Sequence, residues 1–386
     1  MARILFVRST PYDEDLNGYN VQGVGIAKAF CRLGYDCDYL NFHKTKDETI
    51  DVFEKDNHKA RVIFKHRTRI FRTGINREVL KEEFLSQYDI VICREYNQLM
   101  THYIAKRHPN TSMYSGPYYN MFMIPFFSGI YDVLYTKKLD RELKGKFVKS
   151  QLAKEYLEKK GYTDLVDVGV GLDTSRFENV EIQESTAELV NYMKENECIL
   201  YVGTLSERKN ISLILEMFEK VLERKPDVKL VLIGKSEQTL INKLLGKSNE
   251  SYYEELLTKV PDKVKASIYH VLRVDNPQLQ FVYPMAKAFI LPSLLEIFGM
   301  VLLEAMYFGT PVITSWNGGS STLLTDESCG QVVKEFDALK WADAICRYLD
   351  DEEYSAKVIA NAQKLIRENY SWDVIVAKML DELDKR

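Results

Sequence analysis

The sequence lacks any hydrophobic run that is long enough to cross a bilayer. Its nearest approach, residues 121–135, is interrupted by Pro125, Gly129 and Asp132, whereas a spanning helix needs about 18 or more apolar residues in succession. The apolar run at residues 4–7 is short and flanked by arginines, which indicates a buried strand rather than a secretion signal. We therefore expect a cytoplasmic protein without a membrane-spanning segment.

Paired cysteines are also missing. The six cysteines are scattered, and no two of them form a Cys-x-x-Cys motif, so the pattern favours neither a zinc site nor a disulfide framework. The chain also has no large excess of charge of one sign, because 52 basic and 56 acidic residues leave a net charge of −4. A nearly neutral chain gives no electrostatic reason to expect a nucleic-acid partner.

Predicted strands and helices alternate along the whole chain. This alternation indicates the α/β class with parallel, doubly wound sheets, and 386 residues suffice for two domains of ordinary size. A charged and polar stretch at residues 178–185 has the composition of a linker. We predict a first domain at residues 1–178 and a second domain at residues 186–371.

One strand–turn–helix–strand unit stands out, at residues 288–319. Its polar residues follow the carboxyl end of the first strand, where ligands of parallel α/β sheets bind. The predicted helix begins near Gly299 and ends at Gly309, and its first N–H groups and positive dipole end suit a phosphate. Glu296 precedes this helix and Glu304 lies inside it. The two carboxylates therefore fit different depths along a polar ligand better than they fit an acid/base pair.

These motifs resemble those of the retaining GT-B glycosyltransferases of family 4. The resemblance is carried by Glu296-x7-Glu304 with Phe298-Gly299, Glu304-Ala305-Met306, Gly309-x-Pro311-Val312-Ile313 and Gly318-Gly319. It implies two Rossmann-like domains that face each other across a cleft. It also implies metal-independent transfer of a sugar from a nucleotide-diphosphate sugar with retention of configuration. In proteins of this fold the last helix, here residues 372–386, packs back on the first domain.

The resemblance further implies roles for individual residues. Glu296 would contact the donor sugar, and Lys209, helped by Arg208, would neutralise the leaving diphosphate; these three are the predicted catalytic residues. Glu304 would accept hydrogen bonds from the donor ribose. The other donor-binding candidates are Phe298, Gly299, Met300, Gly203, Thr204, Gly234 and Gly23. For Gly23 a second interpretation stays open, in which glycine only helps the chain to enter a helix.

Three positions depart from residues that are common in that family. Thr204 stands where many members have arginine, Ser115 where many have histidine, and Thr322 where many have glutamate. The alternative hypothesis is therefore a non-catalytic nucleotide-sugar-binding or scaffold protein of the same fold. A nucleotide-sugar epimerase is a further alternative, and it would convert the donor without any acceptor.

The expected ligands follow from the same resemblance. We expect no resident cofactor, a UDP- or GDP-linked sugar as donor, and a saccharide or lipid-linked acceptor in the synthesis of surface polysaccharide or glycoconjugates. The segment Lys59–Arg77 has seven basic and no acidic residues. It could bind an anionic membrane, which would place the protein at the inner membrane face, or an anionic acceptor. A solvated helix face explains the same segment equally well.

Further expectations concern local structure. Asp36 and Asp38 match the Asp-x-Asp of metal-dependent glycosyltransferases of another fold, but they lie within a predicted strand. We expect them to form a solvated strand edge without a metal. A strand is expected at residues 132–136, a helical region at 243–267 and a turn at 317–319. The aromatic stretch at 118–131 could stack on sugar rings, although buried packing explains it better.

Overall fold

The computed structural model describes residues 2–16, 18, 21–70, 72–121, 125–237 and 252–386. The chain divides into two compact units. Unit 1 contains residues 1–173 and 369–386, and unit 2 contains residues 174–368. Residues 243–251 of the predicted helical region 243–267 lie outside the described residues, and so do residues 122–124 of the aromatic stretch.

The helices and strands of the described residues follow one another along both units. The strands are β1 (Arg3–Arg8), β2 (Asp36–His43), β3 (Glu48–Lys55), β4 (His58–His66), β5 (Thr68–Ile70), β6 (Thr73–Ile75), β7 (Ile90–Arg94), β8 (Thr111–Ser115), β9 (Lys146–Val148), β10 (Val166–Asp167), β11 (Cys198–Val202), β12 (Lys229–Ile233), β13 (Ile268–Val271), β14 (Ala288–Leu291), β15 (Val312–Thr314) and β16 (Gln331–Val332). The α-helices are α1 (Gln22–Arg32), α2 (Glu82–Leu85), α3 (Leu99–Ala105), α4 (Pro125–Tyr131), α5 (Lys137–Glu142), α6 (Gln151–Glu158), α7 (Glu184–Glu195), α8 (Ile211–Arg224), α9 (Tyr252–Leu257), α10 (Asp262–Ala266), α11 (Leu279–Val282), α12 (Met300–Phe308), α13 (Gly318–Leu323), α14 (Ala338–Asp350), α15 (Glu352–Asn369) and α16 (Trp372–Asp384).

An eight-stranded sheet organises unit 1, in the order β10-β9-β8-β7-β1-β2-β4-β3. Neighbouring strands are parallel except β3, which pairs antiparallel with β4. The centre of β1, residues 4–7, is buried, as expected of a parallel strand that is covered on both faces. Trp372 of α16 is buried in the same unit, edge-on to Tyr114. A Cβ on Gly25 would come within 2.5 Å of its ring, so the C-terminal helix packs closely against α1.

A six-stranded sheet organises unit 2, in the order β13-β12-β11-β14-β15-β16. All of its strand pairs are parallel. This is the strand order of doubly wound nucleotide-binding folds, in which the direction of winding reverses between the first and the fourth strand. In unit 2 the reversal falls between β11 and β14. The predicted α/β class with doubly wound parallel sheets is confirmed, with β3 of unit 1 as the exception.

Residues 132–136 are π-helical, so the predicted strand is wrong. They join α4 to α5 in a helical segment that extends from residue 125 to residue 142. Tyr131, Thr136 and Leu139 are buried along it, and this spacing suits a helix rather than a strand. The β-branched and aromatic residues of this stretch favoured a strand, but burial follows the helical period.

Asp38 is fully buried, so the predicted solvated strand edge is also wrong. Its strand, β2, lies inside the sheet between β1 and β4. The carboxylate accepts hydrogen bonds from Arg3 Nη2 (2.7 Å), Arg61 Nε (2.6 Å) and the Tyr88 hydroxyl (2.8 Å). Burial, followed by the charge of Asp38, raises the pKa of Tyr88, so the hydroxyl remains a donor. Asp38 is therefore the shared acceptor of a buried network.

The basic segment Lys59–Arg77 forms strands β4 to β6 and not a helix. Four of its seven cations have carboxylate partners in unit 1; the pairs are Lys59 with Asp51 and Glu54, Arg61 with Asp38, Lys65 with Asp47, and Arg67 with Asp13. These carboxylates cancel much of the positive potential of the segment. The electrostatic reason for an anionic partner at this segment is therefore weaker in the structure than in the sequence.

Three findings concern membrane, metal and thiol chemistry. Within the described ranges, no helix is both long and apolar enough to span a bilayer. No three His, Cys, Asp or Glu side chains in that part of the chain come together as a metal site requires. All six cysteines are free, and five of them are buried.

We expect Asp38→Ala to destabilise unit 1 by roughly 3 kcal/mol, because two arginines and a tyrosine lose their shared buried acceptor. Asp51→Ala is the matched control, since it removes a β3 carboxylate that pairs with Lys59 at the surface. A surface pair of this kind contributes about 1 kcal/mol or less. Urea unfolding followed by circular dichroism measures both variants. Equal midpoints would contradict a structural role for Asp38.

Candidate functional site

Two loops of unit 2 begin where the winding of the sheet reverses. One follows β11 and contains residues 203–210, and the other follows β14 and contains residues 292–299. Because β11 and β14 are neighbouring parallel strands, the two loops leave the sheet side by side at its carboxyl edge. Ligands of open α/β sheets bind at this edge.

An ion pair joins the two loops. The Lys209 ammonium contacts the Glu296 carboxylate, and the two side chains are only 9% and 15% exposed. Arg208 lies beside them, with its Nη1 2.7 Å from the Leu295 carbonyl oxygen, to which it donates, and 3.6 Å from Glu296 Oε2. The structure thus brings together the three residues that the sequence predicted as catalytic.

Two glycines of α13 fix the backbone that carries Glu296. The Gly318 N–H donates to the Glu296 carbonyl (3.1 Å). A Cβ on Gly318 would lie 1.8 Å from the Ile297 carbonyl oxygen, and a Cβ on Gly319 would lie 1.9 Å from that of Phe298. Only glycine permits so close an approach. The Gly-Gly pair therefore positions the Glu296 loop without touching the Glu296 side chain.

The predicted turn at residues 317–319 is the start of a helix. Gly318 opens α13, and Asn317 is its N-cap residue. The Asn317 side chain accepts from the Ser320 N–H (3.1 Å), while the Ser320 hydroxyl accepts from the Asn317 N–H (2.8 Å). This reciprocal capping box stabilises a helix start. The two glycines suggested a turn, whereas the Asn-x-x-Ser spacing carried the helix signal.

Helix α12 begins immediately after the ion pair. Its N-cap residue, Gly299, has a φ of +80°, in the left-handed region that favours glycine. A Cβ on Gly299 would lie 3.2 Å from Glu296 Cγ, which places the helix start next to the carboxylate. Phe298 is buried and Met300 is partly exposed. Since the first turn of a helix has N–H groups without a partner inside the helix, this end of α12 suits an anion beside Glu296.

The loops after β11 and β12 are packed against each other. A Cβ on Gly234 would lie 1.9 Å from the Gly203 carbonyl oxygen. The Tyr201 hydroxyl donates to the Thr204 carbonyl (2.9 Å) and holds the first of these loops. Gly203, Thr204 and Gly234 therefore lie at the same carboxyl edge of the sheet as Lys209.

Glu304 lies deeper, inside α12, with 3% of its surface exposed. Its Oε1 accepts from Asn276 Nδ2 (3.0 Å) and its Oε2 from the Tyr283 hydroxyl (2.9 Å). These bonds hold the carboxylate in one orientation. The two partners are 28 and 21 residues away along the chain, so no local sequence pattern could have indicated them.

Gly23 lies in unit 1, inside α1, and does not belong to the set of residues that unit 2 brings together. A Cβ at this position would come 2.0 Å from the ring of Tyr39. Packing alone is therefore a sufficient reason for glycine here. The role of Gly23 in donor binding stays a prediction.

Unit 1 has a charged cluster at the corresponding place, and its members were not among the predicted site residues. Its sheet reverses winding between β1 and β7, and Glu95 directly follows β7. The buried Glu95 carboxylate accepts from Lys149 Nζ (3.2 Å), Ser115 Oγ (3.2 Å) and the Gly116 N–H (3.0 Å). Glu95 has a φ of +70°, which is uncommon for a residue other than glycine.

The charges of this cluster depend on one another. Burial alone would raise the pKa of Glu95, but the charges of Lys149 and Arg94, together with the hydrogen bonds from Gly116 and Lys149, outweigh burial and lower it. Burial, followed by the charge of Arg94, lowers the pKa of Lys149 to about 8. A sequence signal did exist, since Glu95 and Lys149 each stand directly after an apolar strand.

Comparison with known proteins relates a large segment of the chain to a family. Residues 183–365 match the model of a family described as Glycosyl transferases group 1. This segment, slightly less than half of the chain, is similar to group 1 glycosyltransferases, and we call it the group 1 domain. This group 1 domain lies within unit 2 and contains Lys209, Arg208 and Glu296. The family resemblance that the motifs predicted is thereby confirmed.

Curated relatives match the chain over part of their length. An uncharacterized glycosyltransferase of Methanocaldococcus jannaschii is 30% identical over 209 residues, which are 52% of this chain and 50% of that one. The phosphatidyl-myo-inositol mannosyltransferase of Mycolicibacterium smegmatis is 26% identical over 238 residues, 61% of this chain and 56% of that one. The chain thus spans about half the length of the curated relatives that it matches.

Solved structures with the same fold match the whole chain. HepE of Anabaena in complex with UDP-glucose covers 100% of both chains with a TM-score of 0.70 and 16% identity. Sucrose-phosphate synthase from Thermosynechococcus elongatus covers 100% of this chain and 99% of its own, with a TM-score of 0.66 and 19% identity. At these identities the likeness shows the fold, which is the predicted GT-B class with two Rossmann-like domains.

We expect Gly318→Ala to lower the stability of the group 1 domain by about 1–3 kcal/mol, because the new methyl group would displace the loop that carries Glu296. Gly129→Ala is the control, since a Cβ there meets nothing within 4 Å and alanine favours a helix. Thermal unfolding of both variants tests the expectation. A Gly318→Ala protein that melts like the wild type would show that the loop yields without cost.

Proposed function

We propose that the protein transfers a sugar from a nucleoside diphosphate sugar to a saccharide or lipid-linked acceptor, with retention of configuration and without a metal. The observation that carries this proposal is the Lys209–Glu296 ion pair at the carboxyl edge of the unit 2 sheet, inside the group 1 domain. Lys209, Arg208 and the helix end at Gly299 offer two cations and a positive dipole end. These groups together suit a diphosphate.

In the proposed reaction, the bond between the anomeric carbon and the diphosphate oxygen breaks. A bond from the acceptor hydroxyl oxygen forms on the same face of the sugar, and the hydroxyl proton passes to the leaving diphosphate. Negative charge grows on that diphosphate, so Lys209 and Arg208 stabilise the transition state more than the bound donor. Glu296 holds Lys209 in position and contacts the sugar, and Glu304 binds the ribose.

The proposed donor is a UDP- or GDP-linked sugar. The solved structure of HepE contains UDP-glucose, and the relative from Mycolicibacterium smegmatis is named as a mannosyltransferase that acts on a lipid. These relatives support a nucleotide-sugar donor and make a lipid-linked acceptor reasonable. We place the reaction in surface polysaccharide or glycoconjugate synthesis at the inner membrane face. Binding of an anionic acceptor or membrane by Lys59–Arg77 stays a prediction.

A second candidate function is binding of a nucleotide sugar without turnover. Thr204, Ser115 and Thr322 differ from residues common in the resembled family, and Ser115 instead bonds to Glu95. This candidate predicts nucleotide binding but no consumption of the donor. Binding and turnover measured on the same preparation separate the two functions.

We expect one nucleoside diphosphate, UDP or GDP, to raise the melting temperature by several degrees without added metal. Ligand at about 100 times its Kd adds about 2.7 kcal/mol to the free energy of unfolding, which corresponds to a shift of this size in domains of ordinary length. Thermal shift assays with UDP, GDP, ADP, TDP and CMP measure the effect. If none of them shifts the melting temperature, with or without metal, the proposed donor site is refuted.

We expect Lys209→Gln to lower the turnover of the donor about 100-fold or more, because the leaving diphosphate loses a preorganised cation. Glutamine can still donate to Glu296, and Arg208 remains 3.6 Å from its carboxylate, so the variant should lose some stability but remain folded at the assay temperature. Lys220→Gln on α8 is the control, since this lysine pairs at the surface with Glu223. Release of the nucleoside diphosphate from the donor identified by thermal shift is the measurement. A Lys209→Gln rate close to the wild-type rate would remove Lys209 from the site.

A further inference from the structure

The helical segment at residues 125–142 of unit 1 presents an unusual exposed surface. Three apolar side chains on it are exposed, namely Ile130 (41%), Val133 (83%) and Leu134 (49%). Three cations continue the same exposed stripe, namely Lys137, Lys138 and Arg141. The six positions recur at alternating intervals of three and one, which places them on one side of a helix. We call this surface the apolar–basic face.

The opposite side of the segment is anchored in unit 1. Tyr131 is buried, and its hydroxyl donates to the Tyr96 carbonyl (2.7 Å). Asp132 forms an ion pair with Lys160, and Leu139 is fully buried in the core. The segment is thus held in one orientation by its buried side. The exposed apolar residues are therefore not a second core surface that could turn inward.

The cations of this face remain available to a partner. Val133, Leu134 and the three cations line a groove of about 480 Å³ together with Asp140 and Gly161. The one carboxylate of that groove, Asp140, pairs with Lys146 Nζ at 2.7 Å. Among the described residues, no carboxylate forms an ion pair with Lys137, Lys138 or Arg141. The cations of the basic segment Lys59–Arg77, in contrast, are largely paired with carboxylates and are therefore less available to an anionic partner.

We propose that the apolar–basic face docks on an anionic lipid membrane. Exposed apolar side chains beside unpaired cations fit the boundary between acyl chains and phosphate headgroups. A second copy of the chain is a poor partner, because a two-fold interface would set these three cations against the same three. This inference concerns a surface of unit 1 and stands whether or not the proposed sugar transfer is correct.

The first experiment is sedimentation of the full chain with vesicles. We expect binding to vesicles of phosphatidylcholine and phosphatidylglycerol (about 3:1) and little binding to pure phosphatidylcholine. The double variant Val133→Ser/Leu134→Ser should weaken binding about tenfold or more, because it removes the apolar contact. Leu272→Ser/Leu339→Ser is the matched control, since these unit 2 leucines are 64% and 52% exposed. This control should bind like the wild type.

The second experiment tests the cations. The triple variant Lys137→Gln/Lys138→Gln/Arg141→Gln should lose about fivefold in affinity for each cation that contacts the anionic surface. Binding of the wild type should also fall as salt is raised, because exposed charges are screened. All five substituted positions of the face are exposed, so the melting temperatures should remain close to that of the wild type.

A matched charge control uses α15. The exposed residues Lys357, Lys364 and Arg367 carry the same three charges, and their change to glutamine should leave vesicle binding intact. Equal loss in both triple variants, or no binding of the wild type to anionic vesicles, would overturn the proposal. Sedimentation velocity adds a third arm. A dimer that Val133→Ser/Leu134→Ser dissociates would show that the face binds a second copy instead.

Discussion

The ion pair between Lys209 and Glu296 depends on two neighbouring strands that end at one edge of a sheet. The residues are 87 positions apart along the chain, and only the order of the strands brings their loops together. Holding a lysine and a glutamate in a largely buried pair costs desolvation free energy, which the attraction between the charges offsets only when the geometry is good. Such a pair indicates that the position of the charges matters. In the proposed reaction that position is beside the leaving diphosphate.

Close backbone packing supports this pair. Gly318 and Gly319 let α13 pack against the Glu296 loop, while Gly234 lets the loop after β12 contact the Gly203 carbonyl in the loop after β11. A side chain at Gly234, Gly318 or Gly319 would lie less than 2 Å from a loop carbonyl oxygen, so the loop would have to move. Close backbone contacts therefore fix the loops of the site, and these loops carry the charged side chains. This is the preorganisation that electrostatic stabilisation of a transition state requires.

Much of the frame of unit 2 could be predicted from the sequence, because its signals are local. The strand, turn and helix around Glu296 follow from an apolar run, a glycine and a helical pattern in the sequence. The partners of Glu304 could not be predicted, because Asn276 and Tyr283 reach it only through tertiary packing. In unit 1 the local signals were misleading. Asp38 is a charged residue in a strand pattern and was therefore predicted to be exposed. In the structure it is buried by a tyrosine and by arginines from two other segments.

The charged residues of unit 1 show the same limit of local reasoning. The cations of Lys59–Arg77 suggested an anionic partner, but most of their carboxylate partners lie in segments that only the folded sheet brings near. The cations of α5 do not form a basic run in the sequence, because they are few and acidic residues stand among them. Their availability depends on Asp140 being paired elsewhere. Charge counts along a chain therefore predict a surface potential poorly when most charges have partners.

The left-handed backbone at Glu95 has a consequence for protein engineering. A common route to thermostability replaces a left-handed residue with glycine, which relieves roughly 1 kcal/mol of strain. At position 95 the same replacement would remove the carboxylate that Lys149, Ser115 and Gly116 share, and an unpaired buried charge costs about 3–5 kcal/mol. Replacement of Glu95 by glycine would therefore destabilise the protein. A stability screen of this protein should retain glutamate at position 95, although the backbone geometry there favours glycine.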